Sequence, residues 1–486
     1  MIGKRYILGL ICLFALTACG DWLDVIPYGQ VEPDKMFEEE KGFMQMLTGS
    51  YTLLNSDAVY GRELTIGFPE EIVHYWKKTS EFHTFRYTDQ EMANRLDATW
   101  LQLYKVIANI NLLLGYMDDK KASDYEYYNL IKGEALGLRA YLHLDLLRLF
   151  GPVLKNGGMN KKAIPYHETF SNQIVQVMTA TEVLGKIQRD LDSAYVLLKD
   201  DPIKLYGRWV DKDDRSKYGD AMNVTDLAFN FRGIRMNYYA VCATLARVYM
   251  LKEDYTNALR YANEVIEATD VFSLVKREDW GATKNLMFER ELVWGVYYQE
   301  IKNMMRNFGI SGYEVDKDYV NDVYTNAMAY GSVEDYRMAW WTTTSTTPSS
   351  TYLNKYARTM STGATSSDIT PWEKLLPMIR LSEVYYMAAE ANLTTRPEES
   401  WRLLNEVRIS RNLSTLPESL KGDAGALLEQ IANEYRKDCW GEGKLFYFYK
   451  RLFRNIVTRE ENIPASLELF ELPLPKDENE FGNNAQ

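Results

Sequence analysis

The chain has 486 residues, of which 46% are hydrophobic and 26% are charged. These proportions are typical of a folded protein with a large core and exclude disordered and collagen-like classes. Acidic residues outnumber basic ones, 68 to 56, without a basic block, so nucleic acid is not expected as the main partner. The 35 Tyr residues exceed the needs of a core and suit exposed binding faces, although many could simply line helix contacts.

Residues 1–18 have the features of a bacterial export signal, with a basic start and a short apolar run. The run is too short to span a bilayer, which takes about 20 apolar residues. Residues 16–19 read Leu-Thr-Ala-Cys, which resembles a lipobox, so we predict that Cys19 is lipidated. Residues 19–34 would then be a lipidated tether. An ordinary signal peptide with an incidental cysteine is the alternative.

From about Lys35 onward the dominant hydrophobic period is helical. A single apolar stripe predicts a helix over residues 91–117. The helix predicted over 130–150 is apolar most of the way round, which predicts a central position, and Gly151-Pro152 ends it. Strand signals are sparse, with a possible pair near Leu292–Tyr298. Further helices are predicted at 180–199, 232–251, 255–269, 372–393, 399–411 and 425–441.

One pair of predicted helices matches the tetratricopeptide pattern in register, with Ala246 and Tyr249 on the first helix and Ala258 and Ala262 on the second. A looser match follows at residues 381–404. The predicted fold is therefore mainly α. It is an irregular tetratricopeptide-like helical-repeat scaffold with few short strands, in which long loop insertions form a ligand face. Ordinary helical hairpins are the alternative.

Long non-helical insertions interrupt this scaffold, and loops of such length are usually functional or disordered. Residues 60–90 and 270–341 are dense in aromatic residues, so we expect them to be ordered. Thr342–Asp368 is rich in Ser and Thr, and we expect its tip to be mobile. The insertions lie at about 55–90, 200–230, 271–370 and after 460.

The sequence contains no complete spacing for a nucleophile elbow, a zinc-binding helix or a phosphate-binding loop. His74 and His83 could approach each other, but surface or hydrogen-bonding roles are more common for such a pair than metal binding. The acidic stretch 211–220 lacks the spacing of a calcium loop and favours a solvated turn. Cys242 and Cys439 are expected to be buried free thiols. We therefore predict no catalytic residues, no metal site and no cofactor.

Two aromatic clusters favour sugar binding, which needs flat rings surrounded by hydrogen-bonding groups. Burial beneath a loop is the alternative for each cluster, and contact with a partner protein is another. Trp280 is a weaker third candidate. The first cluster comprises Tyr75, Trp76, Phe85, Arg86 and Tyr87, and the second comprises Tyr336, Arg337, Trp340 and Trp341.

Four segments of the chain resemble the SusD/RagB proteins of Bacteroidetes, which are surface lipoproteins paired with TonB-dependent transporters. They are Cys19–Asp24, Lys132–Pro152, residues 378–408 and Leu472–Lys476. The resemblance implies tetratricopeptide-like helix pairs with an irregular ligand face. It also implies a lipid anchor in the outer membrane, facing the cell exterior, and a SusC-like TonB-dependent transporter as partner. The ligand it implies is an oligosaccharide or, in some branches, a peptide.

On these grounds we predict a single SusD-like domain over residues 35–486, with an N-terminal part at about 35–270 and a C-terminal signature part at about 271–486. It would capture a glycan without turnover and deliver it to the transporter. Peptide capture with the same partner is the first alternative. A surface glycoside hydrolase is less favoured, since it needs two carboxyl groups about 5–10 Å apart across a cleft. A purely structural lid for the transporter is the last.

Overall fold

Helices dominate the computed structural model of the chain. The residues it describes are 33–77, 80–208, 231–278, 280, 286–301, 313–325, 335–343, 350–356, 374–458 and 461–481. The predicted signal segment, Cys19, the tether up to residue 32, the acidic stretch 211–220 and most of Thr342–Asp368 lie outside them.

The helices of the described residues are α1 Pro33–Met36, α2 Glu40–Leu53, α3 Phe68–Ile72, α4 Gln90–Asp118, α5 Tyr128–Phe150, α6 Ala180–Leu197, α7 Ile203–Tyr206, α8 Tyr238–Leu251, α9 Tyr255–Ile266, α10 Lys317–Thr325, α11 Leu381–Asn392, α12 Pro397–Ser410, α13 Ala424–Asp438, α14 Leu445–Leu452, α15 Leu467–Phe470 and α16 Lys476–Phe481. The strands are β1 Lys162–Pro165, β2 Val177–Thr179, β3 Leu292–Tyr297, β4 Glu314–Asp316, β5 Trp341–Thr343, β6 Ser350–Leu353, β7 Leu375–Arg380, β8 Ile456–Val457 and β9 Asn462–Ile463. The mainly α fold class predicted from the sequence is confirmed.

The chain divides into a unit of residues 1–45 and a unit of residues 46–486. In the first unit the rings of Phe37 and Phe43 lie 4.8 Å apart. The second unit contains every element from α3 onward, and the candidate site lies within it.

Helix α5 is buried along most of its length, as its all-round apolar sequence predicts. From Gly133 to Phe150 every residue except Arg148 is buried. The helix ends at Phe150, before Gly151-Pro152, and it packs against both α4 and α6. Helix α6 begins with a capping box in which the Thr179 hydroxyl and the Glu182 side chain satisfy each other's backbone N–H groups.

Two helical hairpins form the repeat-like part of the scaffold. Helices α8 and α9 pack against each other, α11 packs against α12, and α9 joins the two pairs by packing against α11. Ala246, Ala258 and Ala262 are fully buried or nearly so, which lets the helix backbones approach closely. The tetratricopeptide-like arrangement predicted from these small residues is confirmed.

The prediction of a helix over 372–393 is wrong in its first part, because Leu375–Arg380 forms strand β7. This strand pairs with β3 in antiparallel fashion, and all six of its residues are buried. A continuous apolar run is compatible with either a buried strand or a buried helix, so periodicity did not separate them. The helix predicted over 425–441 ends earlier, at Asp438, and Gly441 adopts a positive φ of 77°.

Both described cysteines, Cys242 and Cys439, are buried free thiols, as predicted. Among the described residues, no helix has the length and apolar character needed to cross a bilayer.

Candidate ligand-binding face

The early insertion, at about residues 55–90, is fixed to the scaffold by buried acidic and basic side chains at its base. Arg95 of α4 lies 2.6 Å from both Glu63 and Glu71. Glu70 accepts hydrogen bonds from the backbone N–H groups of Glu442 and Gly443, at 2.9 and 3.0 Å. Both members of the Glu70-Glu71 pair are therefore buried and used in holding the loop.

Three aromatic residues of the first predicted cluster lie inside the protein and hold the fold together. The Tyr75 hydroxyl donates to the Arg436 carbonyl (2.6 Å), and the Tyr87 hydroxyl donates to the Leu469 carbonyl (2.7 Å). The Trp76 indole N–H donates to the carbonyl of Ile66 (2.8 Å). Because all three rings are at most 5% exposed, they offer no face to a ligand in this structure. The other two members of the cluster are accessible: Phe85 is half-buried and Arg86 is exposed.

The second predicted cluster is divided between two parts of the interior. Tyr336 stacks on Trp280 with centroids 4.9 Å apart, and Phe288 lies between Trp280 and Trp340. Trp340 is 1% exposed, and its indole N–H donates to the Leu286 carbonyl. Trp280 is half-buried, whereas Tyr336 is buried.

Arg337 lies at the centre of a buried ionic cluster and not at a ligand surface. Its guanidinium lies 2.7 Å from Asp335, 2.8 Å from Glu434 and 2.7 Å from Asp438. Burial alone would raise the pKa of Glu434, but Lys437, Arg337 and Arg408 together lower it to about 2. We use the name ionic cluster for six buried residues that these ion pairs link: Asp335, Arg337, Glu434, Asp438, Arg411 and Glu291.

Trp341 lies apart from Trp340 and is linked to Tyr75 of the first predicted cluster through Trp440. The Trp440 ring stacks on Tyr75 at 4.3 Å and meets the edge of Trp341 at 4.7 Å. Trp341 begins strand β5 and is half-buried. The structure thus brings one residue of each predicted cluster to the same region.

The early insertion runs alongside a small sheet with the strand order β4-β6-β5. The Lys77 backbone N–H donates to the Glu314 carbonyl in β4 (2.8 Å). Glu314 is paired with Tyr352 in β6, and Tyr352 is paired with Thr342 in β5. Because directly paired residues project from the same face of a sheet, these side chains form a row.

We call Lys77, Glu314, Tyr352 and Thr342 the polar row. The Tyr352 hydroxyl donates to Glu314 (3.0 Å), and Lys77 Nζ lies 3.6 Å from the same carboxylate. Hydrogen bonds from Ser350, Tyr352 and Lys77 lower the pKa of Glu314, so it is an anionic acceptor at neutral pH. Lys77 and Thr342 are exposed, and the other two residues are half-buried. The row therefore presents donors, an acceptor and one aromatic ring to solvent.

A stack of three rings lies on the same insertion as Lys77. The His74 and His83 rings are parallel with centroids 3.6 Å apart, and Phe85 lies 6.0 Å from His74 at an interplanar angle of 19°. All three residues are half-buried. His74 and Phe85 have positive φ angles of 57° and 59°, a conformation that side chains bearing a Cβ rarely adopt. Such strained positions concentrate at functional sites.

We refer to the polar row and this ring stack together as the loop face. Sequence reasoning had found Phe85 and the approach of His74 to His83, but it missed Lys77, Glu314 and Tyr352. The sequence signal for Glu314 and Tyr352 was the alternation of polar and apolar residues around Val315 and Leu353. The side chains of Val315 and Leu353 are buried between polar neighbours. Such short alternating segments are weak strand signals.

Two family profiles match the chain. A family described as "Starch-binding associating with outer membrane" matches residues 21–210, and the SusD family matches residues 276–468. Two curated proteins of Formosa agariphila are similar over shorter segments. SusD-like protein P2 is 25% identical over 31% of this chain and 30% of its own length, and SusD-like protein P25 is 23% identical over 40% and 38%. The chain thus matches only about a third of the length of these relatives.

Solved structures share the fold over nearly the whole chain. A SusD superfamily protein of Bacteroides thetaiotaomicron has a TM-score of 0.70 and 21% identity, covering 94% of this chain and 99% of its own. A SusD-like carbohydrate-binding protein of Bacteroides vulgatus has a TM-score of 0.65 and 18% identity, covering 91% and 96%. At these identities the similarity establishes the fold.

Proposed function

Because the chain belongs to the SusD family, we propose that it is a cell-surface protein that binds carbohydrate through the loop face and does not turn it over. The observation that carries this proposal is the polar row, together with the ring stack on the same insertion. A matching family described as starch-binding and a structural neighbour described as carbohydrate-binding support the ligand class.

The chemistry of the loop face fits a sugar. The apolar face of a pyranose ring packs on a flat aromatic ring, and Phe85 and Tyr352 supply such rings at low cost in side-chain entropy. The Glu314 carboxylate accepts hydrogen bonds from sugar hydroxyls, and the Lys77 ammonium donates to them. These contacts hold a ligand without forming or breaking a covalent bond.

We further propose that the protein is anchored in the outer membrane through a lipid on Cys19, facing the cell exterior. There it would deliver its ligand to a SusC-like TonB-dependent transporter. The family profile whose description mentions the outer membrane supports this location. A shared membrane anchor also raises the effective concentration of the protein near its transporter, so even weak binding would suffice for delivery.

The test is a binding screen of the detergent-purified full chain against glycan polymers and peptide pools. Phe85→Ala and Tyr352→Ala remove the two rings of the loop face. Phe170→Ala is the matched control, since Phe170 is 59% exposed on another segment. We expect a glycan to bind and both loop-face variants to weaken it, with no sugar released during incubation. Binding of peptides alone, or release of shorter sugars, would overturn the proposal.

A further inference from the structure

A cavity of about 850 Å³ lies away from the loop face, where the end of α9, the start of α11 and the end of α12 meet residues 269–278. Ligand pockets in proteins typically measure about 300–1,000 Å³. None of the residues that line the cavity belongs to the loop face. Nothing in the proposed function therefore requires it.

Buried apolar and aromatic side chains line part of the cavity, among them Phe272, Leu381 and Leu413. Tyr336 adds an aromatic ring, which is held by its parallel stack on Trp280 at 4.9 Å and 21°. The backbone N–H of Trp280 in turn donates to the Lys276 carbonyl (2.9 Å). Trp280 thus covers one face of the Tyr336 ring and holds it in place.

The remaining lining carries hydroxyl groups and balanced charge. Thr269, Ser273, Ser410 and Ser414 contribute hydroxyls. The Ser273 hydroxyl oxygen is buried and has no hydrogen-bond partner among the described residues.

Four charged residues line the cavity, and their charges cancel: Lys276 and Arg277 against Glu278 and Glu406. A phosphate or carboxylate ligand would call for an excess of positive charge, and a cation would call for the reverse. A purely apolar ligand would make no use of the exposed Thr269 and Ser414 hydroxyls. A neutral polyol fits this lining, because its apolar face packs on an aromatic ring and its hydroxyls form hydrogen bonds with the lining hydroxyl groups.

We propose that this cavity is a second binding site, which takes one or two units of a neutral sugar and works independently of the loop face. Thr269→Trp and Ser414→Trp test it by placing an indole at the rim. Both residues are exposed, so these variants are expected to fold. Ser123→Trp is the matched control, because Ser123 is exposed on another segment.

The measurement is saturation-transfer NMR of neutral mono- and disaccharides with the detergent-purified full chain. We expect both rim variants to weaken binding of at least one sugar about 10-fold or more, while Ser123→Trp leaves that binding unchanged. Failure of every neutral sugar to bind, or binding that neither rim variant weakens, would overturn the second site.

The outcome also separates this site from the proposed function. Sugar binding that is lost in Tyr352→Ala and kept in both rim variants would uphold the loop face and reject the cavity. Small-sugar binding that only the rim variants weaken would uphold the cavity, and the loop face is then decided by the glycan-polymer screen with Phe85→Ala and Tyr352→Ala.

Discussion

The ionic cluster and the polar row are built from the same kinds of residue and use them in opposite ways. In the ionic cluster the side chains of Arg337 and Asp438 are at most 1% exposed, and each guanidinium is surrounded by carboxylates. In the polar row the side chains of Lys77 and Glu314 are 45% and 30% exposed. The cluster is closed to solvent and its charges are paired with one another, whereas the row remains in contact with water.

This difference decides which charges hold the fold and which can bind. Removing one partner of a buried ion pair leaves an uncompensated charge in the interior and costs about 3–5 kcal/mol. An exposed ion pair such as Lys77 with Glu314 contributes only about 0–1 kcal/mol to the free energy of unfolding. Each side chain can therefore give up this partner and bind a ligand hydroxyl at little cost.

Arg337→Ala should have the largest effect, because Asp335, Glu434 and Asp438 would lose a shared buried partner. We expect the free energy of unfolding to fall by about 3–5 kcal/mol, measured by urea titration. The control is Arg402→Ala, whose side chain is 51% exposed, with an expected loss below about 1 kcal/mol. Equal losses of unfolding free energy in the two variants would contradict the distinction between buried and exposed ion pairs.

Glu70→Gln should change how stability depends on pH. Burial raises the pKa of Glu70 from 4.5 to about 8, so the folded state binds this proton more tightly than the unfolded state does. The Glu70 contribution to stability is therefore greatest below pH 4.5 and is lost as the pH rises to about 8.

The Gln variant stays neutral, so its unfolding free energy should fall less steeply across that window. At pH 8 it should exceed the parent by about 1 kcal/mol or more. Urea titrations across the window measure this. Glu126→Gln, at an exposed position, is the control and should follow the parent. A Glu70→Gln curve with the slope of the parent would show that Glu70 is ionised in the folded protein.

Phe85→Ala should affect binding more than stability, since Phe85 is half-buried at the edge of the ring stack. We expect the dissociation constant for the best glycan to rise about 10-fold, equivalent to about 1.4 kcal/mol, by isothermal titration calorimetry. The unfolding free energy should change by less than about 1.5 kcal/mol. A large loss of stability with unchanged affinity would show that Phe85 supports the fold and does not contact the ligand.

Tyr352→Phe should have the smallest effect, because it removes only the hydroxyl that donates to Glu314. The ring remains for stacking, so affinity should fall about 2- to 5-fold, equivalent to about 0.5–1 kcal/mol. Thermal unfolding should be almost unchanged. An affinity as low as that of Tyr352→Ala would show that the hydroxyl and not the ring contributes the binding.

Much of the scaffold follows from the sequence, because helices with long apolar stripes or all-round apolar surfaces have few alternatives. Helix α5 was predicted to within a few residues. Both hairpins were also predicted, although α8 begins six residues and α11 nine residues later than expected. Strand β7 was missed, because its six buried residues carry no period that distinguishes a strand from a helix.

The candidate site was harder to predict, since aromatic residues serve the core and a binding face equally well. Trp340 and Trp341 are neighbours in sequence, yet one is buried against Phe288 and the other is half-buried against Trp440. Their different directions depend on where strand β5 begins, which is a property of the sheet. Glu314 and Tyr352 are 38 residues apart and become neighbours only through strand pairing.

The most direct test of the loop face as the binding surface is hydroxyl-radical footprinting of the full chain with and without the best-binding glycan. We expect reduced labelling of Phe85, Tyr352 and His83 in the presence of the glycan, and unchanged labelling of the exposed Phe170. Unchanged labelling of Phe85 and Tyr352 at a saturating glycan concentration would contradict this expectation, because a bound sugar must shield the rings on which it stacks.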